Sequence, residues 1–287
     1  MRRDTIVVVL ILFLLAGGFV AYRAYERLTP IEDAELKELY SSALQYHNEG
    51  DYASAIAIYK YIIRHNPNDS WAYYTAGHTY RYWGKYKESE QMFLKAAELT
   101  PKDPWVWTEL GKLYRNTGEY TKSEQMFQKS IALDSAFEPA YGYGLGYLYY
   151  EEKRYDDAEA MFQKALSINP ESDLAFSGLG DTYREMERYG ESEEYFQKAF
   201  AVNPKSEAYL GLGLLYMKQE KYEDAIVAFK TFLEKIREKG ETYYLLGHAY
   251  KKLGDTENAR GAFQRAIELN PDTPLFEGAL EELLRGE

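Results

Sequence analysis

The sequence predicts an all-α fold built by repetition, a solenoid of helical hairpins, and three observations carry the prediction. The first is a period. With Gly111 as register mark, Ala43, Gly77, Gly111, Gly146, Gly180, Gly213 and Gly247 are equivalent, separated by 34, 34, 35, 34, 33 and 34 residues. The second is fixed chemistry at fixed offsets from each mark. Three residues on stands a tyrosine in every repeat (Tyr46, Tyr80, Tyr114, Tyr149, Tyr183, Tyr216, Tyr250), and nine on a tyrosine in all but the last, which has Thr256. Sixteen on is always aromatic (Tyr59, Phe93, Phe127, Phe162, Phe196, Phe229, Phe263), and twelve on is always small (Ala55, Ser89, Ser123, Ala158, Ser192, Ala225, Ala259). The third is the spacing itself: steps of three, four and seven place residues on one helical face, and small residues let a second helix approach closely.

Each repeat therefore reads as helix, turn, helix. Gly50-Asp-Tyr, Gly84-Lys-Tyr and Gly118-Glu-Tyr supply the turn, glycine taking a positive φ after the first helix. Pro67, Pro101, Pro170, Pro204 and Pro271 stop the second helix, because the ring cannot continue the hydrogen-bond ladder. On these residues the chain resembles the tetratricopeptide-repeat family over about residues 36–273. The resemblance implies a right-handed α-solenoid whose first helices line a groove that binds protein segments.

In chain order, residues 1–4 are a basic flank carrying Arg2 and Arg3, and 5–22 form an uncharged apolar run of 18 residues. As a helix that run reaches about 27 Å, enough to span a bilayer. An uncleaved transmembrane anchor is the expectation, because Phe19, Val20 and Ala21 continue the run beyond the small residues Ala16-Gly17-Gly18. A cleaved secretory signal is the alternative. The basic flank places the N-terminus on the cytoplasmic side and the repeats outside. Residues 23–35, broken by Pro30, are a tether. Seven repeats follow at 36–69, 70–103, 104–137, 139–172, 173–205, 206–239 and 240–273, the first degenerate at Ser42 and Ala43. The extra residue before the fourth is assigned to its linker. The sixth lacks a terminal proline, so its second helix is expected to run on through Lys239 until Gly240 ends it. Residues 274–287, with apolar positions at 275, 276, 279, 280, 283 and 284, read as a capping helix that closes the last apolar face.

A net charge of −12 and the absence of a basic stripe argue against nucleic-acid binding, and the absence of cysteine removes disulfides and thiolate chemistry. Gly142, Gly144 and Gly146 have the wrong spacing for a phosphate loop and no strand before them. His47 and His78 can meet across adjacent first helices, but two histidines make a poor metal site. No nucleophile, base and orienting acid stand in a recognised arrangement. The chain is read as a non-enzyme with no cofactor, metal or small-molecule substrate.

Binding candidates are first-helix residues off the intra-hairpin face. Aromatic and guanidinium groups concentrate in repeats two to four: Trp71, Tyr74, His78 and Arg81; Trp105, Lys112, Arg115 and Asn116; Tyr143, Tyr147 and Tyr150; Arg184 of repeat five is a further groove candidate. At these face positions eight basic residues stand against six acidic ones, which favours a neutral or acidic partner in an otherwise acidic chain. The lysine and asparagine with which co-chaperone members of the family grip a C-terminal carboxylate are not matched, since Tyr40 and Leu44 stand there. The sequence thus reads as a membrane-tethered scaffold binding a protein segment in its groove. A secreted or periplasmic adaptor and a substrate-positioning subunit of an enzyme complex are the alternatives.

Overall fold

The computed structural model describes residue 31 and residues 33–286, all helices and turns with no strand among them. The expected anchor at 5–22 lies outside the described residues. Among those described, no helix is long and apolar enough to cross a membrane.

The chain divides into two bodies, up to Ser135 and from Ala136 onward. The first contains α1 (Asp33–Asn48), α2 (Tyr52–His65), α3 (Ser70–Tyr82), α4 (Tyr86–Leu99), α5 (Pro104–Asn116) and α6 (Tyr120–Leu133). The second opens with a π-helical turn, Ala140–Gly146, that runs into α7 (Tyr147–Glu151). It continues with α8 (Tyr155–Ile168), α9 (Asp173–Glu185), α10 (Tyr189–Val202), α11 (Ala208–Lys218), α12 (Tyr222–Lys235), α13 (Gly240–Leu253), α14 (Thr256–Leu269) and α15 (Pro274–Arg285). Within each body consecutive helices pack on one another, and α3 with α5, the π-helical turn with α9 and α9 with α11 also touch between first helices.

The repeated columns explain the packing. Every second helix begins at the position nine after the mark, from Tyr52 to Thr256. The aromatic side chain sixteen after it is the hub of each hairpin, with Phe93, Phe127, Phe162, Phe196, Phe229 and Phe263 all 0% exposed. The marks are glycines because that ring lies on their backbone: a Cβ on Gly111 would sit 2.5 Å from Phe127, and on Gly247 2.5 Å from Phe263. Where the small residue is serine it ties the two helices together, Ser89, Ser123 and Ser192 donating to the Gly77, Gly111 and Gly180 carbonyls at 2.7, 2.8 and 2.7 Å. These buried hydroxyls satisfy their own desolvation by bonding a helix carbonyl.

A second ladder joins neighbouring repeats. Tyr114, Tyr183 and Tyr216 donate their phenolic protons to Glu90, Glu159 and Glu193 of the preceding second helix at 2.5, 2.8 and 2.8 Å. The tyrosine column is thus a bond between repeats as well as core.

Two local expectations are corrected. The extra residue before repeat four is not in the linker, because 134–137 are four residues, as many as 100–103, and helix begins at 138. It is taken up inside the first helix as the π-helical turn, the usual way one inserted residue is absorbed, in a stretch that Gly142, Gly144 and Gly146 already weaken as α-helix. Likewise Gly240 does not end α12, which stops at Lys235, but opens α13. It is glycine because the backbone there lies on Asn270, where a Cβ would fall 2.1 Å from Oδ1.

The hairpin turns do need a left-handed residue seven after each mark. Gly50, Gly84, Gly118 and Gly254 supply it with φ of 82, 74, 77 and 80°, but Lys153, Glu187 and Glu220 adopt φ of 61, 60 and 59° with a Cβ in place. An L-residue there costs about 1–2 kcal/mol, partly offset by the extra backbone entropy glycine loses on folding. Glu187→Gly should therefore stabilise the second body by about 0.5–1 kcal/mol in denaturant unfolding, and an unchanged midpoint would show the turn to be unstrained.

Candidate binding surface

The first helices of each body present a recess, and several of the candidates border one or the other. In the first body a recess of about 390 Å³ is bordered by Leu44, His47, Trp71, Tyr74, His78 and Tyr82. Trp71 stacks on Tyr74 at 5.0 Å and 11°, and Tyr74 meets the Phe93 hub edge-on at 5.9 Å. Trp71 is 57% exposed, so its outer face is open, whereas Tyr74 is partly core. His47 lies 5.6 Å from His78 and 5.2 Å from Tyr82, ring centre to ring centre. The histidines thus approach as their spacing suggested, inside an aromatic cluster. Among the described residues no three histidine or carboxylate side chains converge as metal ligands.

His47 Nδ1 is 3.1 Å from the Thr79 hydroxyl, whose proton is already given to the Thr75 carbonyl at 2.9 Å. The imidazole must therefore donate from Nδ1, leaving Nε2 as an acceptor. Burial lowers the pKa of His47, helped by Arg81, and pushes that of His78 down to about 4, with Arg81 lowering it further and Glu109 opposing. Both rings are neutral at pH 7. An unfolded histidine titrates near 6.5, so the unfolded chain binds more protons between that pH and about 4, and stability is complete above it and lost as pH falls. Acidification from about pH 7 to about pH 5 should cost the first body about 1–2 kcal/mol, and His78→Gln should flatten that slope.

Next to this recess Glu109, 2% exposed, accepts from Lys112 at 2.7 Å and Arg81 at 3.3 Å. Burial pushes its carboxyl up, but Lys112 and Arg81 outweigh that and hold it below the ordinary range. Two cations thus share one carboxylate, and Arg81 Nε is buried without a hydrogen-bond acceptor. Trp105 stands 45% exposed at the start of α5, and Arg115 and Asn116 at its end; these three border neither recess.

In the second body, Tyr143, Tyr147, Tyr150 and Arg184 come together in one cleft of about 610 Å³. The π-helical turn and α7 carry the tyrosines, α9 carries Arg184, and α11 forms the far wall. Arg184 is buried, and four of its five N–H donors are engaged within the chain: by Asp181, by Glu185 at 3.1 Å, by the Tyr150 hydroxyl at 3.0 Å and by the Gly211 carbonyl at 3.3 Å. It therefore braces three first helices, α7 through Tyr150, its own α9 and α11 through Gly211. Burial raises the Asp181 pKa despite Arg184, and raises Tyr150 to about 12, so the phenol keeps its proton.

Sequence reasoning passed over the other cleft residues, notably Asp173, Ser177, Asn203, Ser206, Leu210 and Leu214. Ser177, Leu210 and Leu214 stand three before or one after a mark, on the same helical face as the tyrosines. The position rule reached them, but the choice by aromatic and guanidinium content did not.

Models of the tetratricopeptide repeat match residues 72–103, 103–171, 138–205, 178–237 and 240–273. None of the curated proteins compared matches the chain. Among solved structures, a tetratricopeptide repeat protein from Parabacteroides merdae superposes with a TM-score of 0.66 at 22% identity, over 86% of this chain and 98% of the other. PilW, a type IV pilus biogenesis factor, gives 0.62 at 18% identity, over 75% and 98% of the two chains. Pseudomonas aeruginosa PilF gives 0.57 at 21%, over 76% and 97%. At these identities the likeness is one of fold.

Proposed function

The chain belongs to the tetratricopeptide-repeat family, whose members are generally protein-interaction scaffolds, and on that premise we propose that it is a membrane-tethered scaffold binding a protein segment along its first helices. The observation that carries the reading is the pair of aromatic recesses, each on the first-helix face of its body. Such repeats are typically non-catalytic. A neutral or acidic segment suits the balance of charge at the first-helix face positions, where eight basic residues stand against six acidic ones in an otherwise acidic chain. Exposed tryptophan and tyrosine supply rigid contact area at low entropic cost. The apolar run at 5–22 supports the tether, with the repeats on the extracytoplasmic side.

The test places a photocrosslinking residue at Trp71, at Tyr143 or, as a control on the opposite side of a hairpin, at Lys87, in the full-length protein in its native membrane. Both face positions should crosslink a discrete partner, and Lys87 should not. Trp71→Ala should then weaken capture of that partner about thirtyfold, the effect of a hot spot worth about 2 kcal/mol, with little change in melting temperature. Crosslinking at Lys87 alone would reject the face. Extraction should require detergent, and a mature N-terminus near Phe19 would replace the tether with a released adaptor.

A further inference from the structure

We propose that the cleft of the second body takes a cationic side chain, lysine or arginine, from the bound segment, held by Asp173 and Asp181 and packed on Tyr143, Tyr147 and Tyr150. This rests on the reading that the first-helix face binds a protein segment, and it names what one part of that face selects.

The charge within the cleft is the starting point. Arg184 is its one buried cation, and four of its five N–H donors are engaged by Asp181, Glu185, Tyr150 and Gly211. Glu185 is further matched by Lys218 at 2.9 Å. Lys205 and Glu207 stand exposed at the rim, and Glu207 pairs outward with Arg237 at 3.0 Å. The inner carboxylates are left with acceptor capacity: Asp173 takes one side-chain hydrogen bond, from Asn203 at 2.8 Å, and Asp181 one, from Arg184. An ionised carboxylate can accept about four.

Desolvation adds direction. Asp181 is three-quarters covered, with its side chain 24% exposed, and burial raises its pKa in spite of the adjacent guanidinium. A second cation entering the cleft would offset that penalty, whereas an acidic side chain would add to it. Gly211, a glycine because the Phe196 ring would lie 2.6 Å from its Cβ, brings the α11 backbone close to the Asp181 carboxylate.

The tyrosines supply the remaining wall. A ring face attracts a cation through its quadrupole, most strongly where water is excluded. The chain uses that pairing internally: Arg154 lies 4.0 Å from the Tyr149 ring centre, Arg188 4.2 Å from Tyr183 and Lys198 4.3 Å from Tyr195. Tyr143, 43% exposed, and half-buried Tyr147 and Tyr150 bring the same ring chemistry into one cleft with two carboxylates. A space of about 610 Å³ admits a long side chain and the backbone that carries it.

The experiment uses full-length protein in detergent with a fluorotyrosine at Tyr143 as a local fluorine label. The probes are end-blocked glycine-serine peptides with one central arginine, lysine, citrulline or glutamate. Arginine and lysine peptides should shift the label saturably, with citrulline and glutamate at least about tenfold weaker. Added salt should narrow that gap. Asp173→Asn with Asp181→Asn should abolish the preference, and Asp173→Asn alone, which keeps the Arg184 brace intact, should reduce it. Equal binding of the citrulline or glutamate peptide overturns the cation inference and leaves the segment-binding reading standing, as does a preference that survives the double substitution. If no probe moves the label, the cleft as a segment-binding site falls along with the inference.

Discussion

Phe196→Ala should destabilise the second body by about 3–5 kcal/mol in denaturant unfolding, the cost of removing a buried aromatic ring. The reason lies in what surrounds the ring. Phe196 is 0% exposed and lies between two glycines, Gly180 of its own hairpin and Gly211 of the next, where an added Cβ would stand 2.7 and 2.6 Å from it. Neither neighbour has a side chain that could swing into the vacated space, so the cavity stays open and its full cost is felt. The same geometry makes Gly180→Leu unfavourable by about 1–3 kcal/mol through overpacking. Ser192 holds the Gly180 carbonyl at 2.7 Å, so the helices cannot simply part. Because repeats are stabilised by their neighbours, either change should also loosen α7–α8 and α11–α12 in hydrogen exchange. A loss below about 1 kcal/mol for Phe196→Ala would mean that the hub is not the centre of the hairpin.

Those hubs were legible in the sequence because each is a column repeated seven times, and a column averages out the accidents of any one repeat. What was not legible depends on single repeats. The π-helical turn arises from one inserted residue; its spacing of 35 was visible, but linker and helix can each absorb an extra residue, and only the positions of 134–138 decide between them. Gly240 looked like a helix stop because glycine serves both as left-handed cap and as a point of close approach, and its contact with Asn270, 30 residues away, is invisible locally. The tyrosine-to-glutamate ladder needed two columns to be read together across neighbouring repeats. For the candidate surface, composition found the tyrosines and tryptophans, but whether a charged group faces a partner or is spent inside the chain depends on three-dimensional neighbours. Arg81 and Arg184 stand at the same offset, four after the mark, yet Arg81 reaches one carboxylate, Glu109, whereas Arg184 is held by Asp181, Glu185, Tyr150 and Gly211 of its own body.

That bracing sets the second large effect. Arg184→Leu should cost about 3–5 kcal/mol, because it removes one partner of a buried charged network and leaves the other without compensation. Glu185 would keep Lys218, 2.9 Å away, but Asp181 would lose its salt bridge to Arg184, and the Tyr150 hydroxyl would lose its donor at 3.0 Å. The cost should depend on pH with a definite sign. The Asp181 carboxyl already has a raised pKa in the folded protein from burial, and without Arg184 it rises further. A carboxyl whose folded pKa lies above its unfolded value binds more protons when folded, so its contribution is most favourable below the unfolded pKa and is lost as pH rises through the folded one. The variant's deficit relative to the parent should therefore be largest near neutral pH and shrink on acidification, opposite to the histidine effect in the first body. Arg184→Leu with Asp181→Leu should recover much of the loss, since replacing both members of a buried pair with apolar groups is often neutral. Equal unfolding midpoints for parent and Arg184→Leu at neutral pH would show that the network does not hold the three first helices together.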